Sequence, residues 1–193
     1  MSLEMLTFVP AVDDARVPAW LKRLGELGMD CEIHPDFSFA SQTGFLPFKL
    51  RLHDSGHPEL NDVDFLSGFE FCMTDFSLED ELRARAKESV QARGLFRRRQ
   101  AEPFASPEID EQLRSCRKRL EFVWGVGDLF ELRMATVSSA VLAEITGGLS
   151  CYPADGLWYE RTTAAEKAVS EARAYEDGLK PENLKVHRFE KWL

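Results

Sequence analysis

His53 and His57 stand four residues apart with Asp54 between them, a spacing that on a helix would aim two imidazoles at one metal ion. Gly56 and Pro58 make the stretch a loop instead, and no further histidine or cysteine lies nearby in sequence, so no metal site is expected. His34 at a strand end and His187 near the C-terminus read as surface residues. Gly125-Val126-Gly127 is a lone G-x-G in which Phe130 stands where a phosphate loop would place its third glycine, and no G-x-x-x-x-G-K-[ST] occurs. No nucleotide and no other cofactor is therefore expected.

Nucleophiles fare similarly. Ser138-Ser139 opens on a helical apolar face and lacks a G-x-S-x-G elbow. Cys151 sits between Ser150 and Tyr152 with no basic neighbour to lower its pKa, and Cys31, Cys72 and Cys116 are equally isolated. Four scattered cysteines without a C-x-x-C pair read as buried free thiols of a reducing, cytoplasmic environment. The carboxylate pairs Glu70 with Asp75 and Asp155 with Glu160 would need opposed environments to do acid–base work, which sequence does not display.

Two features point to contacts rather than chemistry. Tyr152, Trp158 and Tyr159 flank Pro153-Ala154-Asp155-Gly156, an Asp-Gly turn between β-rich runs. Alternation sends Trp158 and Tyr159 to opposite faces of one strand, leaving an aromatic available as an interface anchor. Charge is also uneven. Residues 1–82 carry 5 basic and 16 acidic side chains, residues 83–119 carry 11 and 5, and residues 120–193 carry 8 and 12. The central basic island includes Arg97, Arg98 and Arg99, which suit either a solvated surface or an acidic partner. The net charge of −9 and the sparse aromatics of the island argue against nucleic acid.

The elements that position these residues can be read in outline. Residues 3–9 form a strand ended by Pro10, and a helix beginning between Asp13 and Pro18 carries Trp20, Leu21, Leu24 and Leu27 to a stop at Gly28. Strands are predicted over Met29 to His34, Phe45 to Leu52 and Phe69 to Phe76, with His53 to Asp64 as loop. Ser77 caps a helix ended by Gly94, and 95–106 is the expected mobile connection. From Ser106 a helix runs through Ile109, Leu113, Cys116 and Leu120 to about Trp124. Leu129 to Met134 reads as a strand, followed by a short helix closed by Gly147-Gly148. After the hairpin, Thr163 and Glu166 form a capping box for a helix ending at Gly178, and Val186, Phe189 and Trp192 recur at helical spacing.

These elements predict one α+β domain, 1–193, with a mixed or mainly antiparallel sheet packed against several helices, and two similar strand-helix-strand halves. No apolar run reaches the roughly 18 residues of a membrane span, and Met1 to Pro10 lacks a basic leader region, so neither membrane insertion nor export is expected. A non-enzymatic protein-binding module of regulatory, adaptor or toxin-neutralising type is the favoured reading, with Trp158, Tyr159 and Arg97 to Arg99 as contact residues and a homodimer as the size-based expectation. The alternative is a hydrolase or transferase whose site on a small polar ligand is assembled from scattered residues.

Overall fold

The computed structural model describes residues 3–93, 103–125, 127–180, 182 and 184–192. Seven strands form a single sheet: β1 (Leu3–Val9), β2 (Met29–Ile33), β3 (Gly44–Leu52), β4 (Asp64–Asp75), β5 (Lys118–Trp124), β6 (Leu149–Tyr152) and β7 (Leu157–Tyr159). Their spatial order is β2-β3-β4-β5-β1-β6-β7, and every neighbouring pair is antiparallel. The α+β expectation holds, with the sheet antiparallel throughout. Among the described residues five α-helices accompany it: α1 (Val17–Glu26), α2 (Leu78–Arg93), α3 (Pro107–Leu113), α4 (Glu131–Thr146) and α5 (Ala164–Asp177).

Alternating directions across the sheet make β1 run parallel to β2 and β5 parallel to β6, so α1 and α4 are each the crossover of a strand-helix-strand unit. The two units interlock, because β1 and β5 are neighbours in the middle of the sheet. Period-two alternation then divides the side chains between faces. Leu46, Phe48 and Leu50 of β3, Phe69 and Phe71 of β4, and Leu120 and Phe122 of β5 all lie buried under the helices. Phe69 meets Phe48 at 5.6 Å and Phe122 at 5.1 Å between ring centroids, and Trp20 from α1 closes edge-on over Phe48 at 5.5 Å. On the opposite face Leu78 and Leu113, from α2 and α3, cover Phe8, Leu149 and Cys151.

Helix α4 lies at the centre of the covered face, against β1, β4, β5, β6, α1 and α5. Residues on nearly every side of it are buried, from Arg133 through Ala143. Two polar links fix it. Thr7 of β1 and Ser139 share a hydrogen bond of 2.8 Å, and the Arg133 guanidinium donates to both carboxylate oxygens of Glu176 in α5 at 2.8 and 2.5 Å, with both residues buried.

Three expectations are corrected. The helix starting at Ser106 stops at Leu113, and the residues read as its continuation form β5, where Leu120, Phe122 and Trp124 alternate with Arg119, Glu121 and Val123. Leu129 to Met134 contains no strand, since α4 begins at Glu131. The C-terminal segment is extended rather than helical: Leu66 N–H donates to the His187 carbonyl at 2.7 Å and Phe189 N–H to the Asp64 carbonyl at 2.9 Å. It thereby pairs with the first part of β4, which starts at Asp64 rather than Phe69. The basic stretch 94–102, with Arg97, Arg98 and Arg99, lies outside the described residues. Within 103–106, the amides of Phe104 and Ala105 donate to the Asp110 carboxylate at 2.8 and 2.9 Å.

Candidate functional site

Across β3, β4 and β5 the register sets Phe45 beside Glu70 and Glu70 beside Val123, all on the face away from α4, with Glu4 of β1 next in the row. Phe69, Trp124, Gly125, Gly127 and Glu131 complete a hollow of about 220 Å³ around this row. Phe45 keeps 43% of its surface exposed, an unusual value for a phenylalanine. Its ring lies across Gly68, where an added Cβ would sit 3.0 Å from Phe45 Cζ and 2.1 Å from the Leu46 carbonyl oxygen. Glycine here lets the two strand backbones and the ring approach one another. The Glu70 carboxylate faces Gly44 and takes part in no hydrogen bond or ion pair among the described residues.

The wall of the hollow is the G-x-G loop, and its anion is internal. Gly125 N–H and Gly127 N–H both donate to Glu131 Oε2, at 3.0 and 3.3 Å. An added Cβ on Gly127 would lie 2.5 Å from Glu131 Oε1, so any larger residue would displace the Glu131 carboxylate. Val126 lies outside the described residues. Beneath the loop, Asp128 Oδ1 accepts from Phe130 N–H at 2.7 Å, Glu131 N–H at 3.1 Å and the Ser67 hydroxyl at 3.0 Å. Burial pushes the Asp128 carboxyl up to about 6, although the Phe130 amide, the Ser67 hydroxyl and the charge on His187 pull it down. Serine, aspartate and histidine thus gather in one place, but not as a hydrolytic triad. The Ser67 hydroxyl bonds the carboxylate directly, without an intervening imidazole, and Ser67 is buried from substrate.

At one edge of the sheet, β6 and β7 form the hairpin expected from the Asp-Gly turn, with Gly156 at φ 64°. Trp158 and Tyr159 occupy opposite faces, both half-buried. Trp158 stacks on Phe8 at 5.6 Å and meets Phe104 edge-on at 6.4 Å. Lys167 lies 5.4 Å over the Tyr159 ring, and burial together with Glu171 pushes the Tyr159 hydroxyl pKa up. Both aromatics are therefore partly engaged in packing. The more available side chain is Leu157, 48% exposed at the start of the edge strand β7. Tyr152 of the same hairpin reaches Trp124 at 6.4 Å, so the hairpin and the hollow form one continuous end of the molecule.

The remaining sequence candidates disperse. His53 lies between Asp30 and Asp62 at 2.8 and 2.6 Å, whereas His57 Nε2 faces the Glu176 carbonyl at 3.0 Å, so the two imidazoles do not converge. No group of three metal-ligating side chains occurs among the described residues. Asp75 pairs with Lys118 at 2.6 Å, apart from Glu70. Ser138 and Ser139 are fully buried in α4. All four cysteines are free; burial pushes Cys151 up to about 12 and raises Cys31 and Cys116 as well, the opposite of thiolate activation.

Sequence reasoning singled out Glu70 and the G-x-G without linking them, and missed Phe45, Asp128 and Glu131. A carboxylate four residues beyond the second glycine was the available signal for Glu131. No protein-family model, curated protein or solved structure matches this chain.

Proposed function

We propose that this protein is a non-enzymatic protein-binding module of regulatory, adaptor or toxin-neutralising type, and that the β6–β7 hairpin end is its contact surface. The observation that carries the reading is Leu157, an apolar side chain left half in solvent on the outermost strand of a seven-stranded sheet. An edge strand offers backbone groups to an added strand, and aromatic side chains beside it supply anchoring area. Trp158 and Tyr159 support that surface from either face, with Phe8 and Lys167 holding them in place. A second copy pairing edge to edge is the simplest partner and gives the expected homodimer. No helix among the described residues is long and apolar enough to cross a membrane, and four free thiols suit a reducing, cytoplasmic setting.

The test is Leu157→Arg, which places a charge on the edge strand while removing little packing. A partner, whether a second copy detected by sedimentation or a protein recovered from source lysate, is expected to be lost in this variant with the melting temperature unchanged. The alternative reading, an enzyme acting on a small polar ligand, draws on the Asp128 carboxyl titrating near 6 beside the hollow. Turnover abolished by Asp128→Asn in a fully folded protein would favour it over the binding module.

A further inference from the structure

We infer that the hollow at Phe45, Glu70 and Glu131 receives an arginine side chain of the partner protein. The inference rests on the protein-binding reading and adds the chemistry of what is bound. Ligand pockets for drug-sized molecules run to about 300–1,000 Å³. At about 220 Å³ the hollow is sized for one side chain. Among the described residues its lining has two carboxylates and no basic side chain. Glu131 is already engaged by two backbone amides, while Glu70 has no partner among the described residues. An anion would be repelled, and an apolar group would strip water from an unpaired carboxylate. A metal ion would want more oxygen ligands than this half-apolar cup supplies.

A guanidinium meets each requirement. It is planar, always charged and weakly hydrated, so it can lie on an aromatic face while its N–H groups donate to a carboxylate. Phe45 supplies the exposed ring and Glu70, its cross-strand neighbour, the acceptor. Glu4, next in the same row, adds negative potential at the rim. The ring contact between Trp124, which lines the hollow, and Tyr152 links the hollow to the hairpin at the same end of the sheet.

The experiment is an amide NMR titration of the full chain with N-acetyl-arginine methylamide and, in parallel, with N-acetyl-citrulline methylamide, which keeps the shape and removes the charge. Saturable shifts confined to Phe45, Glu70, Gly125 and Gly127 are expected with the arginine amide. Binding of the citrulline amide should be about tenfold weaker, as should binding of the arginine amide to Glu70→Gln or Phe45→Ala, in keeping with the loss of a charge-assisted contact. Both side chains are exposed, so melting temperatures near wild type will show that these variants fold. Equal binding of the two amides, or no localised shift with either, overturns the inference. That failure is distinct from failure of the binding-module reading, which Leu157→Arg tests separately through partner capture.

Discussion

The two faces of the sheet treat polar groups in contrasting ways. Under α4 the buried ion pair is fully matched, Arg133 with both oxygens of Glu176, and Thr7 bonds Ser139, whereas the Ser138 and Ser150 hydroxyls and the Trp20 indole N–H are buried with no partner among the described residues. On the open face, β2, β3 and β4 carry charges that pair across strands, Glu32 with Lys49 and Arg51 with Asp64, at 2.7 Å each. Farther along the same face this pairing stops. Glu70 has no hydrogen-bond or ion-pair partner among the described residues, Phe45 is exposed beside it, and Leu157 is exposed on the edge strand β7. Matched groups are what folding requires, since an unpaired buried charge is costly. The unmatched groups lie at the end of the sheet where the contact surface is proposed.

This contrast can be broken most forcefully in the covered face. Arg133→Met leaves the Glu176 carboxylate buried without its cation and should cost about 3–5 kcal/mol of stability, whereas Arg133→Met with Glu176→Leu should recover most of that loss. Denaturant melts of both variants decide the matter; a single variant within about 1 kcal/mol of wild type would show that water reaches the pair.

Asp128 sharpens the boundary between the faces. Its folded pKa of about 6 lies above the ordinary 3.8. The folded state therefore holds the proton more tightly, and the associated stability is complete below about pH 4 and is lost as pH rises through 6. Asp128→Asn keeps an acceptor for the Phe130, Glu131 and Ser67 donors and removes the buried charge. It should raise stability at pH 7 by about 1–3 kcal/mol and leave it unchanged near pH 4, as read from urea unfolding at the two pH values. An equal gain at both would assign the effect to packing.

Smaller effects belong to the open face. Arg51→Ala should cost no more than about 1 kcal/mol and should matter less in high salt, because the pair with Asp64 is solvent-screened. For His53, the hydrogen bonds that the imidazolium donates to Asp30 and then to Asp62 raise its pKa above the usual 6.5. Its stabilising contribution is present below that value and fades as pH rises through the raised pKa. Following the His53 ring resonances by NMR should show titration above 6.5 in the wild type and a downward move in Asp62→Asn.

Where residues alternate cleanly or end at a glycine, the architecture was legible. β3 shows Phe48, Leu50 and Leu52 against Lys49 and Arg51, and α1 ends before Gly28 at φ 81°. β5 was hidden because Cys116 and Leu120 continue the helical spacing of Ile109 and Leu113, although the backbone changes from helix to strand between them. α4 was half missed for a different reason: a helix buried on nearly all sides has no polar stripe to betray its period. In the C-terminal segment, the three-residue spacing of Val186, Phe189 and Trp192 suggested a helix, but its backbone groups at His187 and Phe189 are taken by β4. The hollow was illegible for a topological reason. β3, β4, β5 and the start of α4 bring Phe45, Glu70, Val123 and Glu131 together only after the strands pair, and no local spacing records that register.

The claim that the hairpin end is a protein contact surface is tested most directly by one capture experiment. Tagged wild type, Leu157→Arg and, as a control far from the hairpin, Arg51→Ala are incubated with nuclease-treated source lysate and washed at low and then high salt. Bound protein is quantified by mass spectrometry. The expected result is a stoichiometric partner held by wild type and Arg51→Ala and lost from Leu157→Arg with its fold intact. The same partner held equally by all three would contradict the assignment of the binding surface to this end of the sheet.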